Sequence, residues 1–253
     1  MLKDLLLSLR MFGAAEWVKT LAPSEQQEDY VKSLLNAEVN YRQIKQETKR
    51  LKSAKFPSDK EWAEIDKKLN PEIEFDKVKA LGSGDFVRKK ENLCIIGAQG
   101  IGKSHSLVSL GRDLCRAGET VQFCTAHSLV TKLEEARDDR KLTELMRELL
   151  KPSLLIIDEL GFVPFTKIGA NLLFEVFAQR YEKGSIAVST NLAFDKWINL
   201  FRSQEMTAAL LDRFTHHIHV FVYKGKSVRL QASKERAQEN KVERMNAAKL
   251  EPA

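Results

Sequence analysis

The stretch LCIIGAQGIGKSHSLVSLG, residues 93–111, decides the fold. It opens with an apolar run typical of a buried strand, passes through the pattern G-x-x-x-x-G-K-S from Gly97 to Ser104, and continues with apolar residues at helical spacing. Glycines between a strand and a helix let successive backbone N–H groups converge on phosphate groups, and the helix N-terminus adds partial positive charge. The stretch therefore predicts the phosphate-binding loop of a P-loop NTPase.

This loop predicts ATP binding together with Mg²⁺. We expect Lys103 to neutralise the β- and γ-phosphates and the Ser104 hydroxyl to ligate the magnesium ion. The residues expected to bind ATP are Gly97, Ala98, Gln99, Gly100, Ile101, Gly102, Lys103, Ser104 and His105.

A second motif, LLIIDEL at residues 154–160, places two carboxylates after another apolar run. Asp158 is expected to hold Mg²⁺, and Glu159 to orient and deprotonate the attacking water. An Asp-Glu pair at a strand end is often only a solvated terminus, but its position after a phosphate loop favours the catalytic interpretation. The pair predicts hydrolysis of ATP.

Further polar candidates follow the next strand. In IAVSTN, Asn191 is a candidate to position the water, although without the phosphate loop a helix cap before Phe194 would be the preferred interpretation. Arg213, in LLDRF, and Arg229, in KSVRL, flank the last strand and are each open to interpretation as a surface charge.

The alternation of apolar segments with helical ones predicts an α/β fold with a mostly parallel five-stranded sheet covered on both faces. A long amphipathic helix is expected over 26–53, a shorter one over 2–20, a helix start at Pro57-Ser58 and a frayed helix in the tail, 233–253. We predict a helical N-terminal domain over 1–68 and the NTPase domain over 69–253. The expected strands are 93–96, 120–124, 154–157, 185–189 and 218–222.

The composition narrows the classes of function that this chain can have. Among 253 residues, Lys and Arg number 41 and Asp and Glu 35, so the net charge is +6 and an anionic partner is favoured. The cysteines, Cys94, Cys115 and Cys124, lie in apolar stretches without metal-ligand spacing and are expected to be reduced thiols of a cytoplasmic protein. Charged residues interrupt the apolar start, so neither a signal peptide nor a membrane span is expected.

The long helix carries a basic stripe. Cations spaced three or four residues apart on one helix face can follow a DNA backbone without reading bases, whereas a solvated face is the alternative interpretation. The spacing alone leaves these two interpretations equally supported; duplex DNA, if it is the partner, is expected to be bound largely without sequence preference. The candidate DNA-binding residues are Arg42, Lys45, Lys49, Arg50, Lys52 and Lys55.

The motifs GAQGIGKSH, LLIIDELGF, STN, LLDRF and KGKSVRL resemble those of the IstB-type and DnaC-type AAA+ ATPases. The segments DELGFVPF, ANLLFEVFAQRYEKGS and FDKW resemble the IstB branch, the transposition helpers of insertion sequences. Ser104 stands where that family more often has Thr, which preserves the hydroxyl, and Val228 stands where it more often has Tyr.

This resemblance implies an AAA+ fold with a truncated lid and a homo-oligomer assembled on DNA. It implies that Arg213 acts in trans as an arginine finger on a neighbouring subunit's ATP, and that Arg229 is the second sensor. It further implies a partner transposase that the oligomer recruits and stimulates.

Two alternatives stay open at this point. A replicative helicase loader of the DnaC type would share the same ATPase core and differ in its N-terminal helices. A P-loop kinase for a small molecule would need neither Arg213 in trans nor a hydrolytic glutamate. We expect the wall of the adenine pocket to come from residues 75–92.

Overall fold

The structure, a computed structural model, describes residues 2–20, 23–231, 233 and 236. The chain divides into two compact units, Met1–Arg50 and Leu51–Ala253. The tail predicted as a frayed helix, 233–253, lies outside the described residues except for positions 233 and 236. Within the described ranges, none of the helices combines the length and the apolar character that a membrane crossing requires.

The first unit is helical. It contains α1 (Leu2–Ser8), α2 (Phe12–Trp17) and most of α3 (Glu25–Ala54), so the predicted long helix is confirmed. The single helix predicted over 2–20 is wrong, because Arg10 adopts a left-handed φ of 63° that ends α1 and separates it from α2. A small core closes the unit, formed by Leu2, Leu6, Leu9, Ala15 and Leu35.

Helix α3 carries two apolar rows. Val31, Leu35 and Val39 recur every four residues and pack in the core of the first unit. The other row, which dominates the sequence pattern, is exposed: Tyr30, Leu34, Tyr41 and Ile44 are 71, 61, 61 and 65% accessible. Periodicity therefore identified the helix, while the residues that anchor it belong to the less conspicuous row.

The second unit is built on a parallel sheet. Its five strands are β1 (Asn92–Gly97), β2 (Val121–Thr125), β3 (Leu154–Leu160), β4 (Ser185–Thr190) and β5 (Ile218–Tyr223). They are paired in the order β2-β3-β4-β1-β5, and every pairing is parallel, which confirms the predicted fold class.

Helices cover both faces of this sheet. Because β3 is buried on both sides, its residues alternate between two cores, with Leu155 and Ile157 in one and Leu154 and Ile156 in the other. The helices of this unit are α4 (Phe75–Ala80), α5 (Asp85–Arg88), α6 (Lys103–Arg116), α7 (Ala126–Asp138), α8 (Leu142–Leu150), α9 (Lys167–Arg180), α10 (Ile198–Phe201) and α11 (Gln204–Thr215).

The segment after α3 differs from expectation. The structure describes all residues of this segment, and no α-helix begins at Pro57-Ser58 as predicted. The segment instead contains a 3₁₀ turn, Trp62–Glu64, which is capped by reciprocal hydrogen bonds between Glu61 and Glu64. Phe56, Trp62 and Ile65 pack into the core beneath the sheet of the second unit. The contact boundary between the units thus falls after Arg50, earlier than the domain limit of 68 suggested by the sequence.

Candidate functional site

The glycine-rich loop joins the end of β1 to the start of α6, as the sequence predicts. Gly100 and Gly102 adopt left-handed φ values of 72° and 107°, which β-carbon-bearing residues rarely occupy. A β-carbon on Gly100 would also collide with the Ser227 side chain. The glycines therefore permit the tight turn that joins β1 to the N-terminus of α6 at the carboxyl edge of the sheet, the type of turn that binds phosphates in other proteins.

Lys103 is the first residue of α6 and lies over the loop. Its Nζ donates hydrogen bonds to the carbonyl oxygens of Gly97 (2.8 Å) and Ala98 (2.7 Å). Burial lowers the pKa of Lys103, and Arg229 acts in the same direction, whereas Asp158 and Glu159 oppose them. A polyphosphate placed against Lys103 would relieve this destabilisation of the ammonium group.

Ser104, Asp158 and Ser189 form a connected polar group. The Ser104 hydroxyl donates to Asp158 Oδ1 at 3.0 Å, and the Ser189 hydroxyl donates to the same oxygen. Asp158 is 4% accessible, so these hydrogen bonds satisfy a buried carboxylate. Ser189 reaches Asp158 because β4 pairs beside β3.

This oxygen pair fits a magnesium ion. Mg²⁺ is usually held by one or two carboxylates together with substrate phosphates and water, rather than by a complete protein cage. In the part of the chain that the structure describes, there is no group of three or more His, Cys, Asp or Glu side chains suited to a metal. Ser104 and Asp158 therefore have the donor chemistry for a nucleotide-linked Mg²⁺.

Glu159 has an unusual backbone. Its φ is 61°, a left-handed conformation that is strained for a residue with a β-carbon, and the β3–β4 register shifts between Ile157 and Leu160. Its N–H donates to Ser189 Oγ at 3.0 Å, and its side chain is exposed. The bulge thus directs adjacent carboxylates differently, with Asp158 buried and Glu159 open to the loop.

A small cavity of about 80 Å³ brings together three of the predicted catalytic residues, Lys103, Glu159 and Asn191. Asn191 follows β4 and lines this cavity. The Val228 N–H donates to Gly100 O at 2.9 Å, and this hydrogen bond places Arg229 beside the loop of its own chain. The lining includes Gln99, Gly100, Lys103, Ser104, Glu159, Asn191 and Arg229.

Arg213 lies elsewhere. Near the end of α11, it lines a separate cavity of about 220 Å³ together with Asn92 and Gly184, which mark the starts of β1 and β4. The phosphate loop stands at the opposite, carboxyl edge of the same parallel sheet. Arg213 is therefore not assembled with the other predicted catalytic residues within one chain.

A larger cavity of about 500 Å³ adjoins the loop. Of the segment expected to form the adenine wall, 75–92, Phe75 lines this cavity; much of the remaining wall comes from residues 57–66. His105, expected to bind ATP, also faces the cavity, and its Nε2 lies 2.8 Å from the carbonyl oxygen of Glu61.

Sequence reasoning missed this part of the site because its partners are far apart in the chain. Glu61 contacts Arg112 and Arg116, 51 and 55 residues away. Ser189 belongs to the STN motif, but its contact with Asp158 depends on β3 and β4 being neighbours in the sheet. No local sequence pattern predicts either contact.

The candidate DNA-binding residues lie on or just beyond α3. Arg42 pairs with Glu38 at 2.5 Å, and Lys45 Nζ lies 6.0 Å from the centre of the Tyr41 ring. Lys55 ends the helix with a left-handed φ of 58°. Five of the six are exposed and Arg50 is half-buried.

Comparison with known proteins agrees with this architecture. The family model "IstB-like ATP binding protein" matches residues 2–236. The chain is 34% identical over 213 residues to the ATP-binding protein of insertion sequence IS5376 from Geobacillus stearothermophilus, covering 84% of both chains. It is 33% identical over 196 residues to that of IS21 from Pseudomonas aeruginosa, covering 78% of this chain and 74% of the relative.

Solved structures share the fold. The crystal structure of DnaI matches with a TM-score of 0.55 and 16% identity, covering 66% of this chain and 92% of DnaI. The replication initiator DnaA bound to AMPPCP and single-stranded DNA matches with a TM-score of 0.51 and 18% identity, covering 68% and 56%. The sequence relatives are more specific, and they show that the chain belongs to the IstB-like ATP-binding protein family of insertion sequences.

Proposed function

We propose that this chain is an ATP-dependent, DNA-binding transposition helper of the cytoplasm, which oligomerises on target DNA and recruits and stimulates a partner transposase. The observation that carries the ATPase part is the cluster around the phosphate loop, where Lys103, Glu159 and Asn191 line one cavity beside the Ser104–Asp158 pair. The association of its relatives with insertion sequences supports the transposition part.

In this proposal each residue has one task. The loop from Gly97 to His105 binds the triphosphate, and Lys103 neutralises its β- and γ-phosphates. Ser104 and Asp158 hold Mg²⁺, which supplies positive charge to the phosphate oxygens when bound. Glu159 accepts the proton of the attacking water, and Asn191 orients that water.

We assign Arg229 to the ATP site of its own subunit and Arg213 to the ATP site of a neighbouring subunit. Arg229 lines the cavity of its own phosphate loop, which supports a role in cis. Arg213 lies at the opposite edge of the sheet, so a head-to-tail neighbour is needed to bring it to a γ-phosphate. A positive charge supplied only after assembly would couple hydrolysis to oligomerisation.

The division of labour between domains is also part of the proposal. We assign DNA and partner binding and oligomer contacts to the N-terminal region, 1–68, whose stretch 57–66 also contributes to the lining of the cavity beside the phosphate loop, and ATP hydrolysis to 69–253. The basic residues of α3 support nonspecific phosphate contacts, because they are mostly exposed and occur on one helix.

The test is steady-state ATP hydrolysis by the wild type and Arg213→Ala over a protein concentration series, with and without duplex DNA. We expect wild-type turnover per subunit to rise with concentration and DNA, while Arg213→Ala binds ATP and stays slow. Arg147→Ala, which removes another exposed arginine that lines none of the three cavities described above, is the matched control.

A flat turnover per subunit that DNA does not change would contradict the assembly mechanism. The helicase-loader alternative would then be favoured, and its test is capture of a hexameric helicase by the full chain. A transposase gene beside this one, and ATP- and DNA-dependent binding of its product by this chain, would support the helper function.

A further inference from the structure

The connecting segment, residues 56–66, is held against α6 by hydrogen bonds from one helix face. The Glu61 carboxylate accepts from Arg112 Nε at 2.9 Å and from Arg116 Nη2 at 2.6 Å. Because carbonyl oxygens only accept, His105 Nε2 donates to Glu61 O at 2.8 Å. His105, Arg112 and Arg116 are seven and four residues apart, so they share a face of α6.

Neighbouring contacts reinforce this attachment. The Trp62 indole N–H donates to Asp113 Oδ2 at 2.7 Å, and the Ser109 hydroxyl donates to Lys60 O at 3.3 Å. Phe56 lies against Gly111, where a β-carbon would come within 2.7 Å of its ring. The glycine therefore permits the close approach of the segment to α6.

The same segment lines the larger cavity beside the phosphate loop. The loop and the start of α6 also line this cavity, through residues that include Gly102 and His105. Apolar contributions from Ile65, Phe75 and Val108 suit a flat heterocycle, whereas the glycine-rich loop and Lys103 suit phosphates. The connecting-segment residues that line it are Pro57, Ser58, Lys60, Glu64, Ile65 and Asp66.

We infer that Glu61 is a positioning residue for nucleotide-base binding: through Arg112, Arg116 and His105 it holds the connecting segment as the wall against which the base packs. This inference rests on the proposed ATP site and adds to it. Glu61 itself does not line the cavity, so it acts through the segment and not by touching the nucleotide. Its removal should weaken contacts to the base and leave those to the phosphates intact.

Asp59 provides a matched control on the same segment. Asp59 also pairs with Arg112, at 2.7 Å, but its side chain is 94% accessible compared with 34% for Glu61. Exposed ion pairs contribute little, so Asp59→Ala should have little effect on nucleotide binding. Comparing Asp59→Ala with Glu61→Ala distinguishes the effect of losing any negative charge near Arg112 from the effect of losing the attachment made by Glu61.

The experiment compares binding of ATP with binding of inorganic tripolyphosphate, both with Mg²⁺, by calorimetry on the full chain. For Glu61→Ala we expect ATP affinity to fall about tenfold, tripolyphosphate affinity to stay within about twofold, and KM for ATP to rise while kcat is retained. Glu61→Gln, which keeps the accepting oxygen, should recover part of the loss. Arg116→Ala is the second variant should Glu61→Ala fail to fold.

The inference would be overturned if Glu61→Ala lost affinity for ATP and for tripolyphosphate to the same extent, or lost affinity for neither. A wild type that binds tripolyphosphate and ATP with equal affinity would also overturn it, because the base would then contribute nothing. A wild type that binds neither ligand would overturn the nucleotide site itself, so the two failures are distinguishable.

Discussion

Ser104, at the start of α6, donates a 3.0 Å hydrogen bond to Oδ1 of Asp158 in β3, although the two residues are 54 positions apart. The crossover connection brings a hydroxyl and a carboxylate from two separate motifs to one point at the carboxyl edge of the sheet. Neither motif alone places both oxygens where a cation bound to a nucleotide would need them.

We predict that the Ser104 hydroxyl, not its exact side chain, is required. Ser104→Ala should lower kcat at least about tenfold and raise the Mg²⁺ concentration needed, because the variant loses a hydroxyl that donates to the Asp158 carboxylate and is proposed to ligate the ion. Ser104→Thr keeps the hydroxyl and is the control. Mg²⁺ titrations of ATP hydrolysis check this, and equal activities of the Ala and Thr variants would contradict a ligand role.

Glu159→Gln should separate binding from hydrolysis. The exposed side chain on a strained backbone faces the catalytic cavity, so we expect turnover to fall by about 10²–10⁴ while ATP affinity changes only a few-fold. Single-turnover kinetics with equilibrium nucleotide binding measure the two quantities. A matched loss of ATP affinity would indicate that Glu159 supports the loop and is not the base.

Mixing two inactive variants tests the trans role of Arg213. In an equimolar mixture of Glu159→Gln and Arg213→Ala, sites formed between an Arg213→Ala subunit and its Glu159→Gln neighbour have both groups intact. We expect recovery of about a quarter of wild-type turnover if each site needs one residue from each neighbour. Activity no greater than the sum of the separate variants would place Arg213 in cis or outside catalysis.

The sequence predicts the sheet and the loop because their signals are local. A short stretch is enough to predict each buried strand together with its polar end, as in LCIIG before GKS and LLII before DE. The five strands appear where they are expected. The attachment of Glu61 to Arg112 was not predictable, because it depends on how a segment without periodicity lies on α6. Helix α3 shows a further limit, since its periodicity could not indicate which of two apolar rows is buried.

The basic stripe of α3 should determine the salt dependence of DNA binding. Replacing Arg42, Lys45 and Lys49 together by Ala should weaken binding to unrelated duplexes equally and reduce the slope of log K against log salt by about 2–3, roughly 0.9 per lost phosphate contact. Fluorescence anisotropy at several salt concentrations measures this slope.

A matched triple variant controls for net charge. Lys132, Lys151 and Lys167 are exposed on the second unit, and their replacement by Ala removes the same charge. An equal reduction of slope in both triple variants would mean that overall charge, and not the stripe on α3, governs binding.

Acid should release the connecting segment in a way that depends on Glu61. Hydrogen bonding from Arg116, supported by Arg112, holds the pKa of Glu61 below its ordinary value of 4.5. A carboxylate whose folded-state pKa is lowered stabilises the fold above the unfolded-state pKa, and this contribution disappears as the pH falls through the folded-state pKa. The other charged or titratable groups beside it are His105 and Asp113 on α6 and Asp59, Lys60 and Glu64 on the segment.

The difference in unfolding free energy between the wild type and Glu61→Gln should therefore be constant from about pH 7 down to the unfolded-state pKa near 4.5, and should narrow below it. Urea unfolding at a series of pH values measures the difference, with Asp59→Asn as the exposed control on the same arginine. A difference that stays constant below pH 4 would mean that the Glu61 carboxylate contributes no charge-dependent stability, and that only its hydrogen-bonding oxygens hold the segment to α6.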